Sequence, residues 1–186
     1  MNPDFLVLLD ACVLVPAPLR DTLLRLAEKR MFGPRWTDEI MEEMARTLEF
    51  KLKKTPAQTA HLVRELRAHF GDAWVHDYRS IMEKCTNEPK DRHVLAAAIR
   101  CDAELVLTFN RKHFPESSLA PWSIEAAHPD DFLLDIFNLH PEAVVQTLHE
   151  QAFDLGRDLK KQLSVLEAGL PRSVKLISET LYRRRE

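Results

Sequence analysis

The fold is indicated most clearly by the run Phe5-Leu-Val-Leu-Leu-Asp10-Ala-Cys-Val-Leu-Val15, which sets a single acid among apolar side chains. Residues 5–9 form a short apolar run, typical of a strand buried on both faces, and Asp10 stands at its carboxyl end. A buried carboxylate costs several kcal/mol unless a cation, a metal or N–H donors compensate its charge. Asp10 is therefore a candidate ligand-binding residue, and the alternative is that it caps the following turn.

Helical patterns alternate with a second short apolar run, Glu104-Leu-Val-Leu-Thr108, which we predict to be another buried strand. Helices are predicted over residues 19–30, from Thr37 as N-cap to residue 53, over residues 55–71 and over residues 90–99, with Asp91 in the first turn of the last. Trp74-Val75 is a candidate short strand and residues 78–84 a short helix. Such alternation is typical of an α/β fold with a parallel sheet.

The pattern changes after about Ala127. His128-Pro129-Asp130 begins a helix, Pro141 begins another, and a helix break is predicted near Gly169-Leu170-Pro171. We therefore expect one domain over residues 1–127 and a helical C-terminal extension over residues 128–186. The apolar side chains of the extension would pack on the first domain or bind a partner.

Composition excludes several classes of protein. The 186 residues are 45% hydrophobic and 30% charged, with a formal net charge of −3, so the chain is neither disordered nor collagen-like. No apolar stretch is long enough for a transmembrane helix, and the first 20 residues lack the basic start of a secretion signal. Three widely spaced cysteines fit a reducing compartment. We expect a soluble cytoplasmic protein.

Polar residues at the ends of the predicted elements suggest a metal site. If the two strands are parallel neighbours, Asp10 and Asn110 emerge at the same edge of the sheet, where ligands bind in open α/β folds. Asp91 begins the helix that leads to the second strand, and Glu43 borders the apolar face of a flanking helix. Each has an ordinary structural explanation alone, but carboxylates gathered together suit Mg²⁺, which activates water and stabilises charge on a phosphodiester.

Four segments in this order resemble the PIN domain, the fold of VapC-type toxin ribonucleases. They are Val7-Leu-Leu-Asp10-Ala-Cys-Val-Leu, Trp36-Thr-Asp-Glu-Ile-Met-Glu-Glu43-Met, Glu88-Pro-Lys-Asp91-Arg-His-Val-Leu-Ala-Ala-Ala and Val106-Leu-Thr108-Phe-Asn110-Arg-Lys-His-Phe-Pro. The resemblance covers residues 5–127 and implies a PIN-like α/β/α sandwich around a central parallel sheet. The later residues look like the helical extension of some longer toxin-like PIN proteins.

The resemblance also implies a function, Mg²⁺- or Mn²⁺-dependent cleavage of single-stranded RNA, often tRNA or ribosomal RNA. Asp10, Glu43 and Asp91 fall on the metal-binding acid positions of the family, Asn110 on a polar fourth position that is often Asp, and Thr108 on a small hydroxyl position. Related toxins are held inactive by a cognate antitoxin, and dimerisation is expected from the same resemblance.

Around these residues we expect supporting roles. A metal bound by the three acids would activate a water for attack on an RNA phosphate, with Asn110 orienting metal-bound water. Thr37 or Thr108 would hold the acids through hydrogen bonds, and Glu88 is a candidate fourth acid. The basic side chains near the proposed mouth, which would steer the RNA backbone, are Arg92, Arg111 and Lys112.

Two departures from the family pattern keep a second functional hypothesis open. His113 stands where an acid is common, and Asn110 carries no charge, so a PIN-fold RNA- or partner-binding protein with little or no nuclease activity is the main alternative. A haloacid-dehalogenase-type phosphatase needs a second Asp where Cys12 stands, and a receiver-type protein needs an acidic pair that is missing. Nucleotide-binding glycine motifs are also missing from the sequence.

Overall fold

The computed structural model of the chain describes residues 4–183, with side chains up to residue 181. The first three residues and the last residues of the expected C-terminal extension lie outside this range. Within it, no helix has the length and apolar character needed to span a membrane.

A four-stranded parallel sheet forms the centre of the fold. Its strands are β1 (Leu6–Leu9), β2 (Gly33–Arg35), β3 (Leu105–Leu107) and β4 (Glu125–Ala127), in the order β2-β1-β3-β4. In the register of the sheet, Val7 of β1 is opposite Pro34 on one side and Leu105 on the other. β1 and β3 are the central strands, so the predicted α/β fold with a parallel sheet is confirmed.

Helices account for most of the remaining chain. They are α1 (Ala11–Leu14), α2 (Ala17–Glu28), α3 (Asp38–Leu52), α4 (Pro56–His69), α5 (Arg92–Arg100), α6 (Glu116–Leu119), α7 (Pro129–Leu139), α8 (Pro141–Asp154), α9 (Leu159–Leu166) and α10 (Pro171–Arg183). Short 3₁₀ turns lie at Arg79–Lys84, Pro89–Asp91 and Arg111–His113.

Local capping chemistry fixes the starts of two helices as the sequence predicted. The Thr37 hydroxyl accepts a hydrogen bond from the amide of Ile40 at 3.1 Å, which caps α3. Thr55 and Gln58 form a capping box at α4, where each side chain accepts from the backbone amide of the other. The predicted break near Gly169 is confirmed too, because α9 ends at Leu166 and α10 begins at Pro171.

The predicted short helix over residues 78–84 is present as a 3₁₀ helix at Arg79–Lys84. Three details of the sequence prediction are wrong. Trp74 forms only an isolated bridge with Trp36 rather than a strand. Asp91 precedes α5 as its N-cap residue, without a capping hydrogen bond from its side chain. The strands β2 and β4 were not predicted. Each has only three residues, β2 contains a proline and β4 ends in two half-exposed alanines, so neither has a clear strand pattern.

The C-terminal helices pack on the sheet domain through buried contacts. Gln151 of α8 donates to the Pro18 carbonyl and accepts from the Thr22 hydroxyl of α2, at 2.9 and 2.8 Å. Phe32 and Phe132 meet edge to face with their ring centres 5.1 Å apart. One continuous hydrophobic core therefore runs from the sheet into α7–α10.

Candidate active site

Asp10 lies at the carboxyl end of β1 and is only 5% exposed. Its backbone amide donates to the Leu107 carbonyl at 3.1 Å, which extends the pairing of β1 with β3. Its carboxylate does not cap α1. Instead Oδ2 accepts hydrogen bonds from the Thr108 hydroxyl at 2.6 Å and the Cys12 thiol at 3.0 Å. These contacts fix the carboxylate through one oxygen, and Oδ1 is the oxygen that can bind a ligand.

The same two partners tie Asp10 to the loop that carries Asn110. The Thr108 hydroxyl oxygen accepts from the Asn110 amide at 3.0 Å, and the Cys12 sulfur accepts from the Phe109 amide at 3.3 Å. Burial, followed by the negative charge of Asp10, raises the pKa of the Cys12 thiol to about 12. Cys12 is therefore a protonated donor at neutral pH, and the structure brings Asp10 and the Asn110 loop together.

Asp91 lies in the 3₁₀ turn before α5, and its side chain is 16% exposed. Burial and then the negative charge of Asp10 raise the pKa of Asp91, while the charges of Lys90 and His113 lower it. The two carboxylates thus act on each other at a poorly solvated edge of the sheet. Like charges in such a place favour a cation or a proton between them.

A histidine neighbours Asp91. Nδ1 of His113 lies 2.7 Å from Oδ2 of Asp91, and both side chains are mostly buried. The contact is an ion pair when the imidazole is protonated. His113 is the residue that stands in an acid position of the family pattern, and the structure shows that it faces the candidate metal site.

Glu43 reaches the same region from α3 and has its own histidine partner. Its Oε2 lies 3.6 Å from Nε2 of His93, whose side chain is 3% exposed and whose Nδ1 is 3.0 Å from the Lys90 carbonyl. Burial disfavours the imidazolium, yet the interaction with Glu43 raises the pKa of His93. His93 was not predicted as a site residue, although its position two residues after Asp91 on a buried helix is a signal that the sequence contains.

The supporting residues divide into two groups. Thr108 holds Asp10 as expected, whereas Thr37 caps α3 through its contact with Ile40. The Glu88 side chain is exposed, and its backbone amide donates to the His113 carbonyl at 3.2 Å. The backbone of Glu88 therefore contacts the site, while its side chain is exposed to solvent.

The three basic residues differ in their surroundings. Arg92 is half-buried and its Nε donates to the Asn87 carbonyl at 3.4 Å. The Arg111 side chain is 60% exposed and contacts Asp131. Lys112 is exposed, and together with Arg111 it lines an open cavity of about 790 Å³. Both lie in the turn that follows Asn110.

The donor chemistry suits a hard divalent cation, because Asp10, Glu43 and Asp91 offer carboxylate oxygens. Among the described residues, however, no three His, Cys, Asp or Glu side chains converge closely enough to hold a metal ion. Asp91 instead contacts His113, and Glu43 contacts His93.

Comparison with known proteins identifies the family. The family model described as the PIN domain matches residues 6–112, which is more than half of the chain. The chain belongs to the PIN-domain family. The C-terminal helices of this PIN protein match a second model, the VapC50 C-terminal domain, over residues 129–179. The family resemblance predicted from the four segments is therefore confirmed.

Part of the chain is also similar in sequence to a curated protein. Over 71 residues the chain is 51% identical to "Putative ribonuclease VapC50" of Mycobacterium tuberculosis (strain ATCC 25618 / H37Rv). The matched stretch covers 38% of this chain and 42% of the relative, less than half of its length. No solved structure matches the chain.

Proposed function

We propose that this protein is the toxin component of a type II toxin–antitoxin system, a metal-dependent endoribonuclease that cleaves single-stranded regions of RNA such as tRNA or ribosomal RNA. The observation that carries the proposal is a buried acid, Asp10, at the end of a central strand, whose charge raises the pKa of Asp91 in a PIN-family chain. The match of the C-terminal helices to the VapC50 C-terminal domain supports the toxin assignment.

In this proposal Asp10, Asp91 and Glu43 hold Mg²⁺ or Mn²⁺. When bound, the cation supplies an activated water and stabilises charge on the phosphate. Oδ1 of Asp10 is oriented for this role by the two hydrogen bonds that its Oδ2 accepts. To hold a cation, Glu43 and Asp91 would leave their contacts with His93 and His113.

The remaining site residues position the substrate. Thr108 fixes the backbone of Asn110, so that its amide side chain can orient a water at the edge of the sheet. Arg92, Arg111 and Lys112 attract the phosphate backbone, and contacts of this kind position RNA without reading its sequence.

The proposed partners follow from the toxin assignment. We propose an RNA substrate, a cognate antitoxin protein and a homodimer, in the cytoplasm. The three cysteines, Cys12, Cys85 and Cys101, all lie in the described part of the chain and are free thiols, which suits a reducing compartment.

A second function is favoured by one specific contact. His113 lies against Asp91 and, when protonated, neutralises an acid that the metal needs. In this case the protein is a PIN-fold RNA- or partner-binding protein with little or no nuclease activity.

The test is incubation of the purified full chain with total cellular RNA in Mg²⁺, in Mn²⁺ and in EDTA. Asp10→Asn removes the charge with little change of shape, and Asp135→Asn, on the exposed side of α7, is the matched control. We expect discrete fragments with metal from the wild type and from Asp135→Asn, and none from Asp10→Asn or in EDTA. The same fragments from Asp10→Asn would contradict the mechanism, and absence of cleavage by the folded wild type would favour the binding protein.

A further inference from the structure

The C-terminal helices place a second charged cluster at the same edge of the sheet. The chain leaves the carboxyl end of β4 at Ala127, and α7 begins at Pro129. β4 is parallel to β3, so its carboxyl end lies at the edge where β1 ends in Asp10. Asp131, in the first turn of α7, is therefore carried to the active-site edge.

Asp131 is shared by two arginines from distant parts of the chain. Nη1 of Arg172 donates to one of its carboxylate oxygens, and Nη1 of Arg111 lies 3.6 Å from the other. The side chains of Arg111 and Arg172 are 60% and 68% exposed. Each guanidinium has five N–H donors and uses few of them on Asp131, so the trio retains a net positive charge and free donors.

The backbone at Arg172 is fixed by a buried contact. The amides of Arg172 and Ser173 donate to the carboxylate of Asp130 at 3.0 and 2.8 Å, and the Ser173 hydroxyl donates to it at 2.7 Å. Asp130 is 4% exposed. Its charge offsets the positive end of α10, so the exposed positive charge here belongs to the arginine side chains.

The loop that carries Arg111 is held by the same helices. The ring of Phe109 packs edge to face on His128 with centres 5.0 Å apart, and its tip lies near Gly169. Arg111 is thus one residue beyond Asn110 in a loop tethered on one side to Asp10 and on the other to the C-terminal helices.

We infer that Arg111 and Arg172, both held by Asp131, bind a backbone phosphate of single-stranded RNA next to the cleavage site. The identity of the polyanion rests on the proposed function. Guanidinium groups suit phosphate oxygens because they donate in a planar fork, and holding two of them in advance reduces the entropy lost on binding. The C-terminal helices are then one wall of the RNA site.

The test is RNA binding in EDTA, where metal-dependent cleavage is blocked. The full chain is titrated into a fluorescently labelled single-stranded RNA, and anisotropy is followed at several KCl concentrations. Arg172→Ala and Arg111→Ala should each weaken binding about tenfold, the low end of the loss expected for one hydrogen bond to a charged group. Each should also lower the slope of log K against log salt by about 0.7. Arg100→Ala is the control, since Arg100 ends α5 on the side of the sheet where β3 begins.

Each outcome decides the inference. Arg172→Ala that binds as tightly as the wild type would overturn it, as would an equal loss in Arg100→Ala or a folded wild type that binds no RNA. Cleavage in Mg²⁺ is measured separately on the same preparations. If Arg172→Ala weakens RNA binding but the wild type does not cleave, the phosphate site is supported and the proposed nuclease activity is contradicted. If the wild type cleaves but Arg172→Ala binds RNA unchanged, the nuclease activity is supported and the phosphate site is contradicted.

Discussion

Replacement of Asp130 by alanine should destabilise the protein strongly, because this one carboxylate accepts hydrogen bonds from three donors at the start of α10. The donors are the amides of Arg172 and Ser173 and the Ser173 hydroxyl. The site is buried, so water does not easily replace the lost acceptor. Asp130→Ala therefore leaves buried donors unpaired and loosens the helix that carries Arg172.

The size of the loss follows from these contacts. A hydrogen bond to a charged group contributes about 1.5–3 kcal/mol, and loss of a helix N-cap typically costs about 1 kcal/mol. Because the three donors share one carboxylate, their contributions do not add in full, and we expect Asp130→Ala to lower the free energy of unfolding by about 3 kcal/mol. That is a large part of the roughly 5–15 kcal/mol that stabilises a natural domain.

The loss should depend on pH in a defined direction. Burial opposes ionisation of Asp130, but the hydrogen bonds from Ser173 and Arg172 prevail and lower the pKa of its carboxyl. A lowered pKa in the folded state contributes stability that is complete above the unfolded value of about 3.9 and is lost as the pH falls through the folded value. The difference between wild type and Asp130→Ala should therefore narrow in acid.

Urea unfolding followed by circular dichroism at pH 7 and at about pH 3 measures both effects. Asp131→Ala is the matched control, because its neighbouring carboxylate is 35% exposed and makes surface ion pairs worth about 0–1 kcal/mol. A loss below about 1 kcal/mol for Asp130→Ala at pH 7, or a difference that widens in acid, would mean that the Asp130 carboxylate does not stabilise the start of α10.

Three further substitutions test the contacts of the acid site. Thr108→Val should lower the free energy of unfolding, measured in urea, by about 2 kcal/mol, because Asp10 loses a donor and the Asn110 amide loses an acceptor. Thr108→Ser keeps the hydroxyl, so an equal loss in that variant would contradict the role of these hydrogen bonds. Asp10→Asn should lower the pKa of Asp91, measured by NMR titration of its carboxyl carbon, and an unchanged value would show that the two acids do not interact. His113→Asp should tighten Mn²⁺ binding in calorimetry, because a carboxylate replaces the imidazole against Asp91, and weaker binding would argue that His113 is itself a ligand.

Features set by local chemistry could be predicted from the sequence. An acid that directly follows a fully apolar run was predicted to lie at the carboxyl end of a buried strand, and Asp10 does lie there. The starts of α3 and α4 were predictable because Thr37 and Thr55 act within three residues of themselves. The order of the four motif segments predicted the family even though each segment is short.

Features set by distant contacts could not be predicted. The two outer strands, Gly33–Arg35 and Glu125–Ala127, form because they pair with the free edges of β1 and β3. No pattern within three residues of sequence reveals that pairing. The contact of His113 with Asp91 depends on how two turns approach each other. The pairing of Arg172 with Asp131 joins residues 41 positions apart and requires the whole path of α7–α10.

Calorimetric titration of the full chain with Mn²⁺ shows whether the acids at the sheet edge bind a divalent metal. We expect saturable binding by the wild type and by the control Asp135→Asn, and binding weakened at least about tenfold in Asp10→Asn. Binding by Asp10→Asn equal to that of the wild type, or no binding by the folded wild type at millimolar Mn²⁺, would mean that these acids do not form a metal site.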